Sequence, residues 1–299
     1  MTWICRLFVT GLLVSSACGD DSPGGAADAA PRADADDSDA RAGATDFQPD
    51  FAGQVRVMEG TAGTEQEFRA VYALILDTGL LPVGELLARD GDCAIYTHPG
   101  SGNCAPTCMG DYCNASNQCV PFPSAVSAGV ITVTGLSQLL EFTPQSGGGY
   151  TAPFVDVDLF DDGDPITISA AGDQVSAFSA QLSGVAPLVV ATPSVDFESG
   201  TEQVITWTAE NSGRIQLALV VGHHLSPYES LVLCETDDDG SLTITSELIA
   251  QVPRQSSFLE PHISTMARFN REIIDASVGP IEVIVGHQIY FNFVYFPEQ

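Results

Sequence analysis

Apolar and polar residues alternate along most of the chain after residue 50, with the period of two that is typical of half-buried β-strands. Gly, Pro, Asp and Ser separate the alternating segments, as expected for turns. The pattern predicts strands over Gln54–Glu59, Phe68–Leu76, Asp92–His98, Val130–Thr134, Leu140–Thr143, Pro165–Ser169, Phe178–Leu182, Val204–Thr208, Ile215–Val221, Ser230–Glu235, Gly240–Ile244, Met266–Arg271, Ile281–Val285 and Gln288–Phe296. Helical patterns are limited to Ser246–Val252, with Thr245 or Ser246 as its cap, and to a weaker candidate at Gly84–Arg89.

Many short strands joined by turns predict a mainly β fold with an antiparallel, β-sandwich-like body. Trp207 lies on an alternating strand, so we expect it in the hydrophobic core. The Cys-Trp-Cys spacing of immunoglobulin domains is absent, and the prediction therefore concerns architecture and not that family. Residues 51–124 contain the first strands and a cysteine-rich segment, and residues 125–299 contain the sandwich-like part, although 51–299 can equally form one domain.

The chain begins with a different composition. Residues 19–46 contain mostly Ala, Asp, Gly, Ser and Pro and no large apolar side chain. Such a segment cannot bury enough surface to offset the entropy lost on ordering, so residues 18–50 are predicted to be a disordered acidic tether.

A short apolar run, Leu7–Val14, follows Arg6 and precedes Ser15-Ser16-Ala17-Cys18. Eight residues are too few to span a bilayer, which takes about 20, but they suit the apolar part of a signal peptide over residues 1–17. Small residues directly before Cys18 resemble the lipobox of bacterial lipoproteins, although Ser15 stands where that family usually has Leu. The resemblance implies lipidation of Cys18, and Gly19 in place of Asp implies the outer membrane. An ordinary signal peptide that ends near a cysteine is the alternative.

The net charge of the chain is −29, from 39 acidic residues against ten basic residues, all of them Arg. This acidity argues against a nucleic-acid partner, since phosphate binding needs a basic face. It also argues against electrostatic docking to anionic lipid, so the expected contact with a membrane is the lipid anchor.

Six cysteines remain once Cys5 leaves with the signal and Cys18 is lipidated: Cys93, Cys104, Cys108, Cys113, Cys119 and Cys234. An even number in an exported chain predicts three disulfide bonds. A zinc site that includes His98 is the alternative, but no C-x2-C pair is present and export favours disulfides.

The segment from Cys104 to Cys119 has the spacing C-x3-C-x4-C-x5-C and little that could form a core. It resembles the small cystine knuckles of extracellular modules, including parts of EGF-like domains. That resemblance favours Cys104–Cys113 and Cys108–Cys119, which leaves Cys93 to bond with Cys234. Six cysteines allow 15 connectivities, so this pairing is a preference among alternatives.

Residues 235–244 form an acidic loop that resembles an EF-hand calcium loop, with oxygen ligands at alternate positions and a Gly at the sharp turn. The ligands that this resemblance implies are Glu235, Asp237 and Asp239. The alternative, which we favour because strands flank the loop, is an Asp-Gly hairpin between Ser230–Glu235 and Leu242–Ile244. In the hairpin, Asp238 and Asp239 would point to solvent. A second acidic loop, Asp156–Asp164, contains its own turn at Asp162-Gly163.

No nucleophile elbow, Walker loop, H-E-x-x-H pair or dinucleotide fingerprint occurs in the sequence. His223 and His224 are adjacent and would point to opposite sides of an extended chain, while His262 and His287 are expected to be surface or packed histidines. The sequence therefore favours a lipid-anchored envelope protein with a non-enzymatic role and an unidentified envelope, glycan or protein ligand. The alternative is a secreted hydrolase, for instance one acting on glycans, that uses carboxylates no motif marks.

Overall fold

The computed structural model describes residues 51–62, 66–78, 85–97, 108, 112–113, 118–150, 158–191, 193–197, 200–222, 228–253 and 264–294. The first strands are β1 (Gly53–Ala62), β2 (Gln66–Ile75), β3 (Glu85–Asp90), β4 (Cys93–Thr97), β5 (Tyr112–Cys113), β6 (Cys119–Val120), β7 (Ile131–Thr134) and β8 (Leu140–Phe142). They are followed by β9 (Pro165–Ala170), β10 (Phe178–Ser183), β11 (Ser194–Asp196), β12 (Gln203–Thr206), β13 (Arg214–Gly222), β14 (Tyr228–Asp237), β15 (Ser241–Ile244), the helix α1 (Ser246–Ile249), β16 (Ser264–Ala276) and β17 (Gly279–Val294). The prediction of a mainly β fold is confirmed.

Nine of the described strands form one large sheet, in the order β2-β1-β17-β16-β13-β14-β4-β3, with β11 also paired to β17. Most neighbours are antiparallel, but β1 and β11 both run parallel to β17, so the sheet is mixed where the sequence predicted an antiparallel one. The first described strand thus lies beside the last, second and third from one edge of the sheet. Strands from before and after residue 125 share this sheet, as β4 and β14 do.

Smaller layers cover one face of the main sheet, which we call the front face and which carries Val57, Leu217 and Val283. The four-stranded sheet β10-β9-β7-β8 packs over β1, β2 and the first half of β17 and encloses one core. The β12–β15 pair and α1 pack over β4, β13, β14 and the second half of β17 and enclose another. Two layers around buried apolar side chains confirm the sandwich-like architecture.

The two helix predictions had different outcomes. The short helix is present, and the Thr245 hydroxyl caps it by accepting a hydrogen bond from Leu248 N at 3.2 Å. The weaker helix candidate Gly84–Arg89 is wrong for its described residues, 85–89, which lie in β3, because the turn at Gly91, with φ of +53°, folds that segment back onto β4. Pairing with a neighbouring strand here overrides the helix preference of its leucines. Along the described residues, no helix is long and apolar enough to cross a membrane.

Candidate functional site: a polar row between the two cores

The pairing of the cysteines bears on the compartment in which the chain folds. Cys93 and Cys234 are direct partners on β4 and β14, are bonded to each other and are buried in the second core. Cys108 is bonded to Cys119, where β6 begins opposite β5. Both bonds confirm the preferred pairing for these four cysteines. Cys104 lies outside the described residues, as does the candidate zinc ligand His98, and the third bond stays a prediction.

The acidic loop after β14 separates its carboxylates. Glu235 is buried on the back face of the main sheet, opposite the front face, and contacts two arginines. Asp237 is exposed and pairs with one of these, Arg214, at 3.1 Å. Asp239 accepts a hydrogen bond from Ser241 N within the turn at 3.3 Å. The structure thus gives each predicted calcium ligand a different role. The turn itself is present, but β14 and β15 pair with other strands and not with each other, so it is no hairpin.

Asp238, the residue expected in solvent, is buried, and that expectation is wrong. Its Oδ1 accepts a hydrogen bond from the Trp207 indole N–H at 2.7 Å and one from Arg268 Nη2 at 3.1 Å. Its Oδ2 accepts one from Glu210 N at 3.1 Å. Burial opposes ionisation of this carboxyl, but the hydrogen bonds from Arg268, Trp207 and Glu210 outweigh it and lower the pKa of Asp238. Trp207 is a core residue, as predicted, and it also orients a buried anion.

Arg268 has no exposed surface, and it holds the backbone of two covering segments against the sheet. Its Nη1 donates to the carbonyls of Ala186 and Pro187 at 3.1 and 2.8 Å, and its Nη2 donates to that of Thr208 at 2.5 Å. Its Nε lies 3.0 Å from Asp238 Oδ2, as a charge contact without hydrogen-bond geometry. We call residues 184–190, which lead from β10 toward the second core, the strap.

His287 lies beside Arg268, since the two are cross-strand partners on β17 and β16. Its Nδ1 accepts a hydrogen bond from Leu188 N of the strap at 3.2 Å, which requires an unprotonated nitrogen. Burial and the charge of Arg268 lower the pKa of His287 to about 4. The half-buried imidazole is therefore neutral at neutral pH.

Glu59 extends the same row on the other side, because it is the partner of His287 across the parallel β1–β17 pair. Its Oε2 accepts a hydrogen bond from Leu159 N at 2.9 Å. Burial raises the pKa of Glu59, and the nearby charges of Asp158 and Asp161 add to this. Glu59, His287 and Arg268, hereafter the polar row, thus cross the front face where one core ends and the other begins.

The back face carries a second set of charges. Arg271 donates to Glu235 with Nη2 at 2.7 Å and Nη1 at 3.1 Å, and its Nη1 lies 3.5 Å from Glu282. Glu282 also contacts Arg56 at 3.5 Å and Gln54 at 3.0 Å, and Arg214 donates to Glu235 at 2.9 Å. These residues form a ladder across β1, β17, β16, β13 and β14. Positive and negative groups alternate along it, so buried Glu235 and Glu282 are both compensated.

The chemistry open to these groups is limited by their partners. No three His, Cys, Asp or Glu side chains among the described residues are grouped to hold a metal ion. His223, His224 and His262 lie outside the described residues. The carboxylates of Asp238, Glu235 and Glu282 are each bonded to arginine, an arrangement suited to fixing geometry.

Sequence reasoning missed the polar row, although the signal is present. Arg268 shares its alternation with Met266, so it occupies a core-facing position of its strand. His287 falls in the gap left between two predicted strands, which are one continuous strand, β17. Comparisons with protein-family models, with curated proteins and with solved structures found no match to this chain.

Proposed function

We propose that this chain is an exported, lipid-anchored protein of the cell envelope, in which the β-sandwich-like body has a non-enzymatic recognition or structural role. The observation that carries the proposal is the Cys93–Cys234 bond in the second core. Disulfides form and persist in oxidising compartments, so a bonded core cysteine pair supports folding outside the cytoplasm. The lipobox-like residues before Cys18 supply the anchor, and the acidic residues 19–50 supply a tether.

The non-enzymatic role is supported by how the charged side chains of the body are used. A general acid or base must reach the proton that it transfers, and most glycoside hydrolases use two carboxylates on either side of the scissile bond. Glu235 and Glu282, the buried carboxylates of the back face, share Arg271 between them. Since the oxygens of these carboxylates are already paired with arginine, we infer that they stabilise the sheet and do not act as catalytic groups.

The anchor is tested by labelling cells that express the full chain with an alkyne-tagged fatty acid. We expect label on the wild-type chain and on Cys5→Ser, which changes a cysteine inside the signal, and loss of label in Cys18→Ser. Mass spectrometry of the mature N-terminus should give diacylglycerol on Cys18. An unmodified terminus downstream of residue 18 would contradict the proposal.

The role of the body is tested by incubating the purified protein with a glycan array, an envelope-protein array and a panel of glycosidase and esterase substrates. We expect saturable binding to an array component and no turnover. Turnover that survives repurification, and that is lost in a Glu→Gln variant of a body carboxylate, would favour the hydrolase instead.

A further inference from the structure

The strap links the two covering layers and is held to the main sheet by side chains of the polar row. It leaves β10 of the four-stranded sheet and ends where Val190 bridges to Trp207 at the second core. Between these points, Arg268 binds the carbonyls of Ala186 and Pro187, and His287 accepts the Leu188 N–H. The segment that joins the two covering layers is thus hydrogen-bonded to two neighbouring residues of the main sheet, Arg268 and His287.

The side chains of Arg268 and His287 respond differently to acid. Arg268 stays charged, because an arginine does not lose its proton in proteins. His287 can act as an acceptor for Leu188 N–H only while Nδ1 carries no proton. Protonation would turn this acceptor into a donor that faces another donor, and it would place a second positive charge beside Arg268.

The groups that face His287 do not offset that charge. From β16 it faces Arg268, which is already paired with Asp238 of the loop after β14. From β1 it faces Glu59, whose carboxylate accepts from Leu159 N and lies near Arg69. From the strap it meets a backbone N–H. A protonated His287 therefore faces the cation Arg268, a backbone donor, and Glu59, whose raised pKa favours its neutral form in acid.

We propose that the strap and the polar row form an acid-operated latch, in which protonation of His287 breaks its hydrogen bond with Leu188 N and loosens residues 184–190 where the two cores meet. When the strap loosens, the Ala186 and Pro187 carbonyls move, and Arg268 loses its hydrogen bonds to them. A shift of Arg268 also disturbs Asp238, whose Oδ1 accepts hydrogen bonds from both Arg268 and the indole of Trp207.

Trp207 reports on this step directly. The chain has two tryptophans, Trp207 and Trp3 of the predicted signal, so Trp3→Phe leaves Trp207 as the sole tryptophan whether or not the signal is removed. Between pH 7 and pH 3, we expect a red shift of its fluorescence with a one-proton midpoint near pH 4, the pKa of His287. The far-UV circular dichroism of the sheet should persist through this midpoint, because release of the strap leaves β-pairing intact.

Two variants in the same background separate His287 from its neighbours. His287→Gln keeps an acceptor for Leu188 N–H and removes the titration, so the fluorescence transition should disappear while the spectrum at pH 7 is unchanged. Glu59→Gln removes the other titrating group of the polar row and should leave the transition in place. A transition retained in His287→Gln, lost in Glu59→Gln, or coincident with loss of the circular dichroism signal would overturn the latch.

Discussion

Arg268 and Asp238 form an ion pair whose side chains are 0% and 1% exposed, between the main sheet and the loop after β14. Taking two charges out of water costs several kcal/mol for each ion, and this cost is recovered only if the remaining polar atoms find partners. The partners here are three backbone carbonyls on the arginine side, and an indole and an amide N–H on the carboxylate side. The pair thus joins four segments that are distant in sequence.

Removing one member of this pair should be more damaging than removing both. Asp238→Ala leaves Arg268 buried without its anion, and we expect a loss of about 3–5 kcal/mol in the free energy of unfolding. The double variant Arg268→Met/Asp238→Asn buries no net charge and should lose less. Chemical denaturation of the oxidised proteins measures both, and a double variant no more stable than Asp238→Ala would contradict this account.

The back-face ladder gives a matched comparison on one strand. Glu235 is buried and bonded to Arg214 and Arg271, whereas Asp237, two residues on, is 83% exposed at its side chain and bonded to Arg214 alone. Glu235→Ala should therefore destabilise the fold by about 3 kcal/mol, since Arg271 loses both hydrogen bonds to Glu235 and keeps only the 3.5 Å contact with Glu282. Asp237→Ala should cost at most about 1 kcal/mol, as for exposed pairs. Urea unfolding curves distinguish them, and equal losses would show that burial is not the deciding factor.

The two described disulfides should differ in their contribution to stability. Cys93–Cys234 closes a loop with a sequence separation of 141 residues, against 11 for Cys108–Cys119. In the chain-entropy account, removing the first should cost about 5 kcal/mol and removing the second about 3 kcal/mol. Paired Cys→Ala variants measure this by thermal and chemical unfolding. Free-thiol counting in the denatured, unreduced wild-type protein should also find none of the six body cysteines free.

The stability of the fold should fall with acid in a window set by His287. Its pKa is about 4 in the fold and about 6.5 when unfolded, so the unfolded chain binds more protons between these values. Its contribution is complete above pH 6.5 and declines as pH falls toward 4, by at most about 1.4 kcal/mol per pH unit. Glu59 acts in the opposite sense, since its raised pKa favours the fold as pH falls. His287→Gln should flatten the pH profile of unfolding, and Glu59→Gln should steepen it.

Calcium should leave the melting temperature unchanged. Binding at the loop after β14 would require Glu235 to leave Arg214 and Arg271, and would require Asp239 to join it from the far side of the turn. A bound ion stabilises a fold by mass action, so thermal melts with millimolar calcium and with chelator test this. A rise of several degrees that disappears in Asp239→Ala would establish the calcium site.

The strand pattern was predictable because alternation is a local property. Val55 and Val57, or Leu217 and Leu219, lie on one side of their strands whichever strand comes next. The cap at Thr245 and the core position of Trp207 follow in the same way from local spacing and side-chain type. Two disulfide pairings were also anticipated, through a resemblance between cysteine spacings and not through geometry.

The sequence by itself determined a mainly β, cysteine-bonded body, since burial of one side of a strand produces an alternation of apolar and polar residues within that strand alone. Only the tertiary structure decided that β1 runs parallel to β17, because pairing depends on which strands meet across more than 200 residues. It also decided that Asp238 is buried in a loop that looks solvent-exposed by composition. A carboxylate is buried at low cost only where a cation compensates its charge. Arg268 lies next to Asp238 only when β16 is paired with β13 in the folded sheet.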